Sequence, residues 1–169
     1  MIKTFKKFII DSEDYRGTHQ APTKGEGSAP MHDVSGVYPS DFYSHNGFRY
    51  YSDRGNCYDH ESHYSVVKMK NRPNGFVSVY RAVPKDIKTD GIKPGDWVTH
   101  NRKYAHDHGK SNLNNDYKII SKSVRPRDLF TDGNSIHEWG YDPQPYDKKT
   151  EIARKERIKE KSRMKNENK

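Results

Sequence analysis

The sequence predicts an α+β fold, strand-rich through its middle, with helices set before and between the strands. Three observations carry the prediction. Residues 58–70 place Tyr58, Ser62, Val66 and Met69 at helical spacing, residues 76–83 alternate in strand fashion, and no regular βαβ order links the elements.

In chain order, residues 11–35 hold Gly17, Gly25, Gly27, Pro22, Pro30 and Ser28 among charges and read as an extended, polar lead-in. Gly36 to Tyr51 is dense in aromatics (Tyr38, Phe42, Tyr43, Phe48, Tyr50, Tyr51) and should pack against the body. The helix expected over 58–70 has Asp59 as its candidate cap and is broken by Arg72-Pro73-Asn74-Gly75. In Phe76 to Val83, alternation puts Val77, Val79, Arg81 and Val83 on one face and Phe76, Ser78, Tyr80 and Ala82 on the other. Lys93-Pro94-Gly95 turns the chain into a short expected strand at 96–99. A short helix is expected next, over 101–108, with Thr99 or Asn101 as N-cap and Gly109 as its stop. Residues 117–124 read as another strand, Thr131-Asp132-Gly133-Asn134 as a tight turn, and 135–141 as the last strand. Beyond Pro143 and Pro145 the chain is charged, with little apolar face to bury, and is helical or disordered. Three regions result: a lead-in over 1–35, a domain over 36–145 and a basic tail over 146–169.

Composition bounds the partners. A length of 169 residues suits one domain with tails. Leu, Ile, Val and Phe together number 27, below the ~20% at which disorder becomes a concern, whereas twelve Tyr argue for an aromatic core. The net charge of +8 is unevenly spread, because residues 148–169 hold ten Lys and Arg against four Glu. Such a tail can make weak contact with nucleic-acid phosphates or simply aid solubility, and the body is left only mildly basic. Its centre is therefore a poor candidate for a nucleic-acid groove. Cys57 is the single cysteine, so no intrachain disulfide can form. The apolar run within Met1 to Ile10 is short and interrupted by Lys3, Lys6 and Lys7. The expectation is a protein without signal peptide or membrane span, in a reducing cytosol.

Three residues stand out chemically. Arg81 shares a face with valines, and a buried guanidinium needs an anionic partner. That partner is either a carboxylate of the body, in a structural ion pair, or a phosphate or carboxylate ligand gripped by the planar fork. Glu138, in Ile136-His137-Glu138-Trp139-Gly140-Tyr141, falls by alternation on the face of Ile136 and Gly140, opposite His137, Trp139 and Tyr141. A strand glycine lets a ligand come close to the backbone, although an exposed Glu on an edge strand is the plainer alternative. Thr99 stands where a strand meets a helix start, and capping alone would account for it.

In these segments the chain resembles the Arg-Ser/Thr-Glu class of ADP-ribosyltransferases, of the kind found in bacteriophage and mobile-element proteins. Tyr-Arg-Ala-Val-Pro at 80–84 is similar to the arginine strand, Gly-Asp-Trp-Val-Thr at 95–99 to the strand that ends in Ser or Thr, and His-Glu-Trp-Gly-Tyr-Asp-Pro at 137–143 to the glutamate strand. The likeness covers residues 36–145. It implies a small mixed-sheet core with flanking helices, with NAD as substrate and Glu138, Arg81 and Thr99 as catalytic residues. Arg81 would bind the NAD phosphates or nearby ribose, Thr99 would support the nicotinamide half of the site, and Glu138 would bind the ribose 2′-hydroxyl and favour the cation formed as nicotinamide leaves. Tyr80, Tyr104 and Trp139 would join the NAD-binding set, with Tyr104 or Trp139 stacking on the nicotinamide ring. The implied activity is mono-ADP-ribosyl transfer to an unidentified protein or nucleic-acid acceptor, in a bacterial host cytoplasm if the protein is phage-encoded.

Two departures bear on the acceptor. The second segment reads Thr-His-Asn where the family carries Ser-Thr-Ser, and Ile136 stands where many arginine-modifying members carry Glu or Gln. NAD hydrolysis and acceptors other than arginine stay open. A nucleic-acid-binding phage protein with an inactive core is the alternative from another class. Among nine histidines, His60 with His63 and His106 with His108 invite a metal reading, but no HExxH or paired-Cys pattern supports one, so no metal and no metal-dependent nuclease is expected.

Overall fold

Alternation over residues 76–83 produces the longest ladder of the protein. In the computed structural model, which describes residues 20–25, 27–52, 58–145 and 163, β2 (Val77–Pro84) pairs antiparallel with β4 (Tyr117–Val124) along eight residues. Val79 and Val83 are buried and Ser78 is exposed, as the period of two requires. A second, four-stranded sheet runs in the order β1 (Ala29–Pro30), β5 (Leu129–Thr131), β6 (Trp139–Tyr141), β3 (Trp97–Val98), again with antiparallel pairs. The two sheets touch at one bridge, where the backbones of Tyr80 and Thr99 exchange hydrogen bonds of 2.7 and 2.9 Å. The α+β class is thus the observed one.

Three helices flank the sheets: α1 (Gly47–Tyr51), α2 (Asp59–Met69) and α3 (Arg102–Asn112). Helix α2 buries Ser62 and Val66 on the face expected from spacing, and Phe42 and Tyr38 stack beneath it at 4.5 Å. The core cluster joins these to Met31, Val34, Leu129, Ile136 and Trp139. Aromatic area substitutes for the missing leucines.

Several expectations are corrected. The segment ahead of residue 36 belongs to the core, since Ala29, Met31 and Val34 are buried there and Pro30 pairs with Phe130. Gly109 does not stop a helix. It is buried inside α3, where an added Cβ would lie 2.5 Å from the Tyr117 ring, so its role is close approach of helix to strand. Asn101, not Thr99, caps α3, accepting from the amides of Lys103 and Tyr104. Asp59 makes no cap hydrogen bond and binds His137 instead. The last strand begins at Trp139, so alternation fails over 135–138 and His137 is fully buried. The turn at 131–134 is as expected: Gly133 has φ +86° and its amide donates to the Thr131 hydroxyl. Among the described residues no helix is long and apolar enough to cross a membrane. The tail at 146–169, apart from Arg163, and Cys57 lie outside the described residues, as does the lead-in before residue 20.

Candidate functional site

The segments that carry Arg81, Thr99 and Glu138 meet at one cleft. Strand β3 pairs with β6 in the register Trp97 with Gly140 and Val98 with Trp139, and Thr99 and Glu138 flank that paired segment. On its other side Thr99 bridges to Tyr80. A cleft of about 260 Å³ opens along this row, with Tyr80, Arg81, Thr99, Tyr104, His108 and Glu138 among its lining.

Each side chain has an identifiable anchor. Arg81 points from β2 across the bend between the sheets, where its Nη1 lies 3.0 Å from Asp96 Oδ1 and donates to the Trp97 carbonyl at 3.1 Å. Both groups are largely shielded, with side-chain exposures of 24% and 10%, so the ion pair is worth more than a solvated one. The structural reading of Arg81 is the observed one, since it pairs with a body carboxylate, and the residue also lines the cleft. Thr99 is buried, and its hydroxyl accepts from the Asn101 amide at 3.1 Å, fixing the turn from β3 into α3. Tyr104, on the first turns of α3, donates its phenol to Glu138 Oε1 at 2.7 Å. This charge-assisted bond holds the carboxylate at the cleft wall.

Beneath the wall lies a buried polar network. His137 places Nε2 2.8 Å from Asp59 Oδ1 and Nδ1 2.9 Å from Ser62 Oγ, while Asn101 Nδ2 donates to the same Oγ at 3.2 Å. The Tyr104 ring stacks on the His137 ring, centroids 4.8 Å apart and planes within 15°. His100 donates to the Ser62 carbonyl at 3.1 Å, and burial pushes its imidazole down from the ordinary 6.5 to about 4.

One member of the expected set, Trp139, needs revision, as does the reading of Gly140 as a place for close ligand approach, and one residue is added. Trp139 is a core residue, 1% exposed, with its indole N–H on the Ile136 carbonyl, so it does not line the cleft. The reason is that β6 is an inner strand, paired on both sides. Gly140 admits no ligand either: a Cβ there would lie 1.8 Å from the Pro22 carbonyl, so the chain's own lead-in occupies the space. His108 was missed as a lining residue. Its position four after Tyr104 on one helix face was the available signal.

Three more histidines make contacts within the fold. His63 bonds the Phe42 carbonyl at 2.7 Å, His60 packs edge-on to Phe48, and His106 bonds the Tyr117 hydroxyl at 3.0 Å. Among the described residues no group of three or more His, Cys, Asp or Glu is arranged to hold a metal. Compared with family models, curated proteins and solved structures, the chain matches none.

Proposed function

We propose that the protein is an NAD-dependent ADP-ribosyltransferase whose site is the cleft between β2, β3 and α3. The observation that carries this reading is convergence: Arg81, Thr99 and Glu138, separated by 18 and 39 positions, line one cleft together with Tyr80 and Tyr104. The chemistry suits such a wall. As the bond between the nicotinamide nitrogen and the anomeric carbon breaks, its electron pair leaves with neutral nicotinamide and positive charge develops on the ribose. A carboxylate already fixed by the Tyr104 phenol stabilises that charge without reorganising. The acceptor then forms the new bond at the anomeric carbon and gives up its proton. Arg81 supplies a cation for the pyrophosphate, and Tyr80 and Tyr104 offer flat faces to planar rings.

The test is nicotinamide release from NAD, in buffer and with bacterial lysate. Wild type is expected to release it, and Glu138→Gln to lose about 10²–10³-fold in rate with its fold intact. The reading fails if the wild-type chain neither binds NAD nor releases nicotinamide in lysate. Labelled NAD incubated with lysate identifies the acceptor, and label recovered only as free ADP-ribose makes the protein a glycohydrolase.

A further inference from the structure

His137 is the most completely buried ionisable group next to the cleft, and nothing in the proposed reaction uses it. It follows Ile136 in the chain and directly precedes Glu138. Burying an imidazole with both nitrogens bonded costs desolvation and side-chain freedom, and its neighbours reveal what that arrangement holds.

The donors and acceptors run in one direction. The Asp59 carboxylate only accepts, so the hydrogen sits on His137 Nε2 and is donated to it at 2.8 Å. In the neutral imidazole Nδ1 is then an acceptor, and the Ser62 hydroxyl donates to it at 2.9 Å. The Ser62 oxygen in turn accepts from Asn101 Nδ2, whose own carbonyl oxygen caps α3. No side-chain nitrogen or oxygen of Asp59, Ser62, Asn101 or His137 is buried without a partner. The imidazole plane is thereby locked between α2 and the start of α3. Ser62, His137 and Asp59 resemble a nucleophile, base and acid set in composition only, because Ser62 and His137 are both fully buried and no substrate reaches them.

What the locked plane touches is Tyr104, stacked flat on it with Tyr58 edge-on at 5.2 Å on the same imidazole. Tyr104 reaches from that surface to the Glu138 carboxylate. We propose that His137 is a positioning residue: anchored by Asp59 and Ser62, it sets the plane of Tyr104, and Tyr104 sets the carboxylate of Glu138. The consequence for rate rests on the transferase reading above, whereas the geometric linkage does not. Fixing a reacting carboxylate within a fraction of an ångström is the kind of support a preorganised site requires.

The experiment uses the full chain labelled with ¹³Cζ-tyrosine, in which the Tyr104 resonance reports its hydroxyl's hydrogen bond, with Glu138→Ala as the unbonded reference. His137→Leu removes the platform and leaves Asp59 without its buried partner. Asp59→Asn is the milder second variant, because it keeps shape and an acceptor oxygen. In each folded variant the Tyr104 resonance is expected to move toward that of Glu138→Ala. The turnover number for nicotinamide release is expected to fall about tenfold with KM changed less than about twofold. Asp59→Asn added to Tyr104→Phe is expected to cost little beyond Tyr104→Phe alone, since both act through one contact. An unmoved Tyr104 resonance in folded Asp59→Asn, or fully additive losses in the double variant, overturns the positioning role. The resonance is read without turnover, so a wild-type chain that releases no nicotinamide defeats the transferase reading alone, and a static resonance beside intact turnover defeats this one alone.

Discussion

The phenol of Tyr104 donates a 2.7 Å hydrogen bond to Oε1 of Glu138, tying helix α3 to the residue that precedes β6. Across 34 positions of sequence, an aromatic hydroxyl and a carboxylate are joined at the wall of a cleft. Removing the hydroxyl alone isolates its contribution. Tyr104→Phe is expected to lower nicotinamide release by roughly 10–100-fold, the range for a hydrogen bond to a charged group. The ring keeps its stack on His137, so the melting temperature should change by only a few degrees. Steady-state kinetics with a thermal melt on the same sample checks both.

Arg81 divides its donors between Asp96 and the Trp97 carbonyl. Lysine carries the charge but not the fork. Arg81→Lys is therefore expected to weaken NAD binding about tenfold while costing on the order of 1 kcal/mol in stability, because Asp96 keeps the Lys93 amide at 2.9 Å. Calorimetric titration with NAD and urea unfolding measure the two effects separately. Equal NAD affinity in the folded variant removes Arg81 from the binding set.

Gly109 and Gly140 are both sites of close backbone approach, to the Tyr117 ring and to the Pro22 carbonyl. The obstructing groups differ in how far they can give. Gly109→Ala should cost about 1–3 kcal/mol through overpacking of α3 on β4. Gly140→Ala presses on backbone at 1.8 Å and should displace residues 20–25 outright, exposing them to proteolysis. Urea unfolding of the first variant and limited proteolysis of the second provide the comparison.

His100 makes stability depend on pH. Its Nε2 donates to the Ser62 carbonyl, and its Nδ1 is buried without a hydrogen-bond partner among the described residues. Protonation would bury a charged N–H with nothing to accept it, which is why the fold holds the imidazole down to about 4 against an ordinary 6.5. The unfolded chain binds this proton first as pH falls. Stability is thus fully present above about 6.5 and declines as pH drops toward 4, by on the order of 2 kcal/mol from this group. His32 and His63 are also lowered, chiefly by burial, and add in the same direction. Urea midpoints from pH 7.5 to 4.5 should trace the loss, and His100→Gln should flatten it.

Much of the fold could be read from residue order because the signals were local. The alternating run read at 76–83, which forms the strand Val77–Pro84, the run at 117–124 and the helical spacing of Tyr58, Ser62 and Val66 each describe an element long enough to show its period. Strands β1 and β5 are two and three residues long, too short for any period to register, and β6 was read only as the end of a longer strand at 135–141. Gly109 misled because a helix stop and a point of close packing call for the same residue. Trp139 entered the expected set through the family resemblance, whereas alternation placed it on the face opposite Glu138.

Residue types and spacing alone were enough for the α+β class, the aromatic core and the singling out of Arg81 and Glu138, because each depends on a residue's own chemistry or on neighbours a few positions away, whereas Thr99 joined them through the family resemblance. The path of the chain decided what lies next to what: the Tyr80–Thr99 bridge that aligns β2 with β3, the β3–β6 pairing that Thr99 and Glu138 flank, and the buried His137 that carries Tyr104 to that carboxylate. The Tyr104–Glu138 bond spans 34 positions and the His137–Asp59 bond beneath it 78. No local preference encodes such pairs, because they arise only when burial of Val79, Val98 and Trp139 brings separate strands onto one core.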